Sequence, residues 1–162
     1  MRERKLFLDC DQVLADFNGG AEHLFGMPPR KARELYGPEA FWDLIRSKGD
    51  FFLSLSVLPE GKRLYDAVKH LHPTILTGTP PEIPEAAPQK CEWAAMRFPG
   101  TPIITCESAD KRLYMQHGDV IVDDWPKYSH LWEEAGGIFI LHETAERSIE
   151  QVLSLFPVTH TT

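Results

Sequence analysis

The sequence predicts a doubly wound, Rossmann-like α/β fold on a parallel five-stranded sheet, with a small helical cap inserted after the first strand. Three observations point there. Five short apolar runs are spread along the 162 residues, each followed by turn residues or acids. Segments of helical period lie between several of them, and alternating strands and helices call for a parallel sheet covered on both faces. The third observation is one interval about twice as long as the rest.

The first run, Leu6–Leu8, ends on Asp9-Cys10-Asp11. Sixty-six positions then separate Asp11 from Thr77 at the end of the second run, Thr74–Leu76, whereas a whole strand-helix-strand unit needs roughly 30 residues. The excess carries Phe17, Phe25, Tyr36, Phe41, Trp42, Phe51 and Phe52, punctuated by Gly19-Gly20, Pro28-Pro29, Gly37-Pro38 and Gly49-Asp50. This composition predicts a helical cap over 17–58 above the strand ends, with 1–16 and 59–162 forming the α/β core. Leu64, Val68 and Leu71 follow Pro59-Glu60 at helical spacing. Pro80–Pro88 is a proline-rich connector. The remaining strands are Pro102–Thr105, Val120–Val122 and Ile138–Leu141, with a helix predicted after the capping candidate Ser108 and running to Tyr114. In the last helix Ile149, Val152, Leu153 and Phe156 form one stripe, Thr144 caps the start, Arg147 faces outward and Pro157 closes the end.

Composition narrows the function classes. Hydrophobic residues at 43% and charged residues at 25% are ordinary globular usage, and a chain of this length buries roughly 70% of its unfolded surface. A net charge of -7 argues against polymeric nucleic acid or an anionic membrane as partner. Cys10, Cys91 and Cys106 are odd in number and widely spaced, so neither a disulfide framework nor a zinc site is indicated, and a cytoplasmic setting is expected. The basic MRERK start leads only into Leu6-Phe7-Leu8 before Asp9, too short for a signal peptide, and no apolar run approaches a membrane span.

The chemistry lies at the strand ends, where ligands bind in open α/β sheets. Side chains alternate along a strand, so Asp9 and Asp11 share one side and Cys10 turns into the core. Val120–Val122 runs into a second acidic pair, Asp123-Asp124. A lone Asp after a strand commonly caps a turn. Four together are different: at roughly 4 Å and an effective dielectric near 20, each like-charge pair repels by about 4 kcal/mol. A hard cation such as Mg²⁺, held by carboxylates, water and substrate phosphate, removes that repulsion. Thr77-Gly78 offers a hydroxyl and a backbone N–H at another strand end, and Lys111 precedes the second acidic pair by 12 positions. His70 and His72 at i, i+2 do not share a helix face and form no ligand pattern.

DxDxV, then Thr77 at the end of the strand Thr74-Ile75-Leu76, then a lone Lys before DD resembles the four motifs of the haloacid dehalogenase superfamily of phosphatases. The resemblance spans Asp9 to Asp124. Within it, DCDQVLADF is similar to the first motif of the 5'(3')-deoxyribonucleotidases, with further likeness at Phe41-Trp42, Phe51-Phe52, Leu58-Pro59-Glu60-Gly61, Lys90 and Trp93. It implies a Mg²⁺-dependent phosphomonoesterase acting on a small phosphorylated metabolite, a nucleoside monophosphate first and a sugar or other metabolite phosphate second. By resemblance, Asp9 attacks phosphorus and Asp11 acts as acid and base. The metal sits on Asp9, the Asp11 backbone carbonyl and Asp124, with Asp123 behind. Thr77, Gly78 and Lys111 hold the phosphoryl oxygens. Phe17, Phe41, Trp42, Phe51, Phe52 and Lys90 become substrate-binding candidates, Phe17 as the residue stacking on a base; small helical caps also need aromatic packing.

Three positions depart from that pattern. Gln12 stands where Gly is usual, Gly78 where Ser is common, and Trp125 where a basic residue is common. A phospho-accepting receiver module uses similar residue types, but it lacks the long interval after its first strand and does not place its acidic pair after Lys. A catalytically silent ligand-binding relative would not be expected to keep every reactive side-chain type.

Overall fold

A computed structural model describes residues 2–158, and all five apolar runs are strands in it. They are β1 (Leu6–Leu8), β2 (Thr74–Gly78), β3 (Ile103–Cys106), β4 (Val120–Asp123) and β5 (Ile138–Leu141). Every pairing is parallel and the order is β3-β2-β1-β4-β5. The chain moves to one side of β1 for β2 and β3, then crosses to the other for β4 and β5. The switch point therefore lies between β1 and β4, which pair Leu6 with Val120 and Leu8 with Val122. A crevice at the carboxyl ends of those two strands is where this topology places a ligand.

Burial follows the same order. β1 and β4 are buried throughout, while the edge strands β3 and β5 are only partly covered. Alternation divides the core in two. Leu6, Leu8, Ile75, Val120 and Val122 pack on one face with Leu64, Val68 and Val152, and Phe7, Leu76 and Ile121 pack on the other with Trp132. The Trp132 indole N–H donates to the carbonyls of Asp119 and Ile138 at 3.2 and 3.1 Å, satisfying its one polar atom inside the apolar layer.

The interval after β1 holds α1 (Phe17–Phe25) and α2 (Pro29–Ser47). Asp16 caps α1 by accepting the Gly19 N–H at 2.9 Å, and Gly26 ends it in the left-handed region. Helical geometry in α2 fails at Gly37 (φ 79°, ψ 165°), immediately before Pro38. Proline removes a donor and crowds the preceding turn, so this pair bends the segment. The stretch after α2 is tied to α4 (Ala86–Arg97) by side chains. Gln89 accepts from the Phe52 and Leu53 backbone and donates to the Gly49 carbonyl at 2.7 Å, and the Trp93 indole donates to the Leu55 carbonyl at 2.8 Å.

The other helices are α3 (Pro59–Val68), α5 (Ser129–Glu134) and α6 (Ala145–Leu155). Among the described residues, no helix is long and apolar enough to cross a membrane. Three local expectations are corrected. Ser108 does not cap a helix: Ser108–Tyr114 is a 3₁₀ segment that Ser108 opens, preceded by the extended Glu107. Pro88 belongs to the first turn of α4, where its missing N–H costs no helical bond. In α6 the covered face is Ala145, Ser148 and Val152, with Ile149 and Phe156 at its margins, while Leu153 is 41% exposed. Thr144 does cap α6, its hydroxyl accepting the Arg147 N–H at 3.2 Å.

Candidate functional site

Asp9 and Asp11 follow β1, and Asp123 and Asp124 lie at the end of β4, so the switch point brings both acidic pairs to one crevice. It opens into a cavity of about 830 Å³ lined by all four carboxylates, Lys111 and Gly78 at its base. Aromatic and proline side chains form much of the remaining wall, among them Phe17, Trp42, Phe52 and Trp125.

Lys111, on the 3₁₀ segment after β3, is buried at the floor. Its ammonium donates to Asp9 Oδ1 at 3.0 Å and to Asp123 Oδ2 at 2.9 Å. Burial alone would lower its pKa, but the two carboxylates outweigh that and raise it, so it stays a cation. Asp123 accepts the Trp125 backbone N–H on its other oxygen at 3.0 Å. Both Asp123 oxygens are thereby engaged, and Asp124 lies beside Asp9. Burial first, then Asp9 beside it, pushes the Asp124 carboxyl up to about 7. Asp9 is raised too, by burial above all, against the pull of Lys111.

Oxygens of Asp9, Asp123 and Asp124 all lie within 4.8 Å of one another. Oxygens bound at roughly 2.0–2.1 Å to one octahedral ion stand about 3–4 Å apart, so small adjustments let this set grip a hard divalent cation. An all-oxygen, anionic donor set suits a hard divalent cation of the Mg²⁺, Mn²⁺ or Ca²⁺ kind rather than a softer metal.

Asp11 has a different partner. Lys90, on α4 and 2% exposed, donates to Asp11 Oδ2 at 2.7 Å, to Thr77 Oγ1 at 2.9 Å and to the Gly78 carbonyl at 2.9 Å. The Asp11 carboxylate outweighs the burial that would discharge this lysine and holds its pKa up. The other oxygen, Asp11 Oδ1, is buried without a hydrogen-bond partner among the described residues. Lys90 thus lies beneath the cavity and does not line it. Its sequence signal was a charge on an apolar face, since Ala86, Lys90, Trp93 and Ala94 are the buried positions of α4.

The aromatic candidates divide. Phe17, Trp42 and Phe52 reach the cavity, but Phe17 is 7% exposed and its ring is surrounded by Phe51 at 5.5 Å, Trp42 at 6.3 Å and Phe52 at 6.3 Å. Phe41 and Phe51 do not reach it. Phe41 is fully buried, stacked on Phe25 at 4.9 Å, and Phe51 meets Phe52 edge-on at 5.2 Å. These two rings build the core of the inserted helices, which a short helical segment cannot do without large apolar side chains. Cys10 is buried, as alternation predicts, and burial pushes its thiol pKa far up.

The departures have physical accounts. Gln12 holds φ at 61°, a left-handed conformation easiest for glycine, and its side-chain oxygen accepts the Asn18 N–H at 2.7 Å, joining the loop after β1 to α1. A Cβ built on Gly78 would lie 2.0 Å from Ser108 Oγ. Ser108 therefore fills the space a side chain at 78 would need and brings a hydroxyl to the cavity wall. Sequence reading missed that role because Ser108 comes from another strand end.

No protein-family model and no curated protein matches the chain. Solved structures do. A hydrolase from Streptococcus pneumoniae TIGR4 superposes with TM-score 0.57 at 14% identity, covering 95% of this chain and 100% of that one. A Had-superfamily hydrolase from Ehrlichia chaffeensis gives 0.56 at 12%, covering 97% and 100%. A HAD phosphatase from Thermococcus onnurineus gives 0.56 at 12%, covering 95% and 98%. The chain shares their fold across nearly its whole length.

Proposed function

We propose that this protein is a Mg²⁺-dependent phosphomonoesterase that works through an aspartyl-phosphate and acts on small phosphorylated metabolites, nucleoside monophosphates foremost. One observation carries the reading: a nucleophile-type Asp9, a second acid Asp11, a buried Lys111 and an acidic pair converge on the switch point of a fold shared with HAD hydrolases. The segment 17–58 serves as the cap that supplies one wall for the leaving group.

In this reading Asp9 Oδ2 attacks phosphorus and the bond to the ester oxygen breaks, while Asp11 delivers a proton to the departing alkoxide. Water then attacks the aspartyl-phosphate as Asp11 takes its proton, releasing inorganic phosphate and restoring both carboxyl groups. Lys111 stays between Asp9 and Asp123 and holds phosphoryl oxygens as charge spreads over them, a buried and fixed cation. Lys90 fixes Asp11 and Thr77 in place. Asp9, the Asp11 carbonyl and Asp124 would hold Mg²⁺, with Asp123 behind; the ion supplies charge neutralisation of the phosphate dianion against four carboxylates.

Phosphate release is the test, measured over ribo- and deoxyribonucleoside 5'- and 3'-monophosphates and sugar phosphates. Turnover is expected with Mg²⁺, silence in EDTA, and a loss of several orders of magnitude in Asp9→Asn, whose amide is nearly isosteric but not a nucleophile. Full activity in EDTA, or more than about a tenth of the wild-type rate in Asp9→Asn, refutes the mechanism.

A further inference from the structure

Trp125 directly follows the acidic pair, and among the described residues it is the one large hydrophobic side chain that is both strongly exposed and on the cavity wall. The others of comparable exposure, such as Leu35, Met96 and Leu113, lie elsewhere on the surface. The indole is left 47% exposed on the wall of the cavity that the four carboxylates line. Its position is nevertheless fixed. The backbone N–H is bonded to Asp123, the Tyr128 ring meets it edge-on at 5.5 Å, and the Lys127 ammonium lies 5.2 Å from its centroid.

Reach decides what such a ring can touch. The Trp125 side chain lines the same cavity as Asp9, Asp124 and Lys111, so a leaving group held in that cavity meets its ring. Phe17, by contrast, is enclosed by three other rings and offers little face to a ligand.

We infer that Trp125 is the specificity-determining residue of this site, a platform on which a planar aromatic leaving group, the base of a nucleoside monophosphate, stacks. The inference rests on the phosphatase reading and adds to it which side chain selects the substrate. Stacking on an aromatic side chain is sequence-tolerant among bases, so purine and pyrimidine nucleotides are both accepted, and esters without a ring are disfavoured.

Nucleoside 5'-monophosphates and ribose 5-phosphate share sugar and ester and differ by the base, so the ratio of their kcat/KM isolates the ring contact. With the full chain and Mg²⁺, the wild type prefers the nucleotide, and Trp125→Ala lowers that preference roughly 5- to 150-fold through KM. Trp125→Phe, which keeps a ring, retains most of it. The Asp123 bond survives both changes because it is made by the backbone. Equal losses toward both esters, in a variant with unaltered thermal unfolding, overturn the proposal and make Trp125 a positioning residue of the loop. A wild-type ratio near one also overturns it, yet leaves the phosphatase reading intact. If neither ester nor 4-nitrophenyl phosphate is hydrolysed, the phosphatase reading fails, and binding alone decides the platform. Indole emission quenched by nucleotide but not by ribose 5-phosphate, with the quench at least halved in Trp125→Phe, supports it; no quench overturns it.

Discussion

The Lys90 ammonium lies 2.7 Å from Asp11 Oδ2, joining α4 to the loop after β1 across 79 positions of sequence. The same nitrogen also bonds Thr77 and the Gly78 carbonyl, so one buried cation organises the ends of β1 and β2. Removing it leaves a carboxylate, a hydroxyl and a carbonyl without their donor. Breaking a buried pair by deleting one partner costs about 3–5 kcal/mol, and because the Asp11 side chain is 28% exposed the lower end applies here. Lys90→Met is expected to lower the unfolding free energy by that amount and kcat by at least about tenfold, since Asp11 loses its fixed orientation. Equilibrium unfolding and turnover of the same preparation check both; unchanged kcat in a destabilised variant would assign Lys90 to folding alone.

The metal-free protein should become less stable as pH rises from 5 to 8. Asp124 is held at about 7 and Asp9 is also raised, both above the ordinary carboxylate value near 3.8. The fold therefore binds protons on these groups that the unfolded chain releases. Their contribution is complete below the unfolded pKa and is lost as pH passes upward through the folded one. In EDTA, Tm is expected to fall across this range, and Asp124→Asn, with no charge to create, should flatten the fall. Mg²⁺ should restore stability most at the upper end, where the carboxylates are ionised. Parallel Tm curves for wild type and Asp124→Asn would contradict this.

Gly61→Ala should destabilise the core although it adds a single methyl at a helical position where alanine is ordinarily favoured. A Cβ there would meet the Val13 carbonyl oxygen at 2.3 Å and Leu14 Cα at 2.8 Å, both backbone atoms of the loop that carries Asp11. Neither can swing aside, so α3 must back away from that loop. Overpacking of this kind costs about 1–3 kcal/mol, and the displaced loop should also depress kcat. Calorimetry alongside turnover gives the check; a Tm equal to or above wild type would show that the approach is looser than the structure has it.

The strands were legible because each is a short apolar run, β1 and β4 buried throughout and the edge strands β3 and β5 in part, and the acidic ends of β1 and β4 were legible because Asp9, Asp11, Asp123 and Asp124 leave a strand into the same crevice. What escaped was set by contacts far apart in sequence. Nothing local to Lys90 says that its ammonium reaches Asp11, and nothing local to Ser108 says that it fills the space beside Gly78. The aromatic residues of 17–52 were legible as a group but not individually, since packing and ligand-facing rings have the same composition. Phe41 and Trp42 are neighbours, yet only Trp42 reaches the cavity. The 3₁₀ form of Ser108–Tyr114 was hidden because its length and composition also suit one or two α-helical turns.

Gly78 and Ser108 should behave as a coupled pair. A Cβ at 78 would lie 2.0 Å from Ser108 Oγ, 3.1 Å from its Cβ and 3.3 Å from its Cα. Rotation of the hydroxyl removes the first contact but leaves the second tighter than van der Waals distance, so Gly78→Ala forces the 3₁₀ segment away from β2. That segment carries Lys111, whose bonds of 3.0 and 2.9 Å to Asp9 and Asp123 leave little slack. The variant is expected to lose about 1–3 kcal/mol of stability and at least about tenfold in kcat. Ser108→Gly opens the space and should cost less by itself. Combined with Gly78→Ala it should recover stability, so that the double variant is more stable than the sum of the single losses predicts by at least about 0.5 kcal/mol, the signature of residues in direct contact. Turnover separates crowding from chemistry. Recovery of stability with kcat still low would show that the Ser108 hydroxyl itself serves the phosphoryl site, whereas recovery of both would show that its part is to fill the space beside Gly78. Strict additivity in the cycle would show that the two residues do not meet.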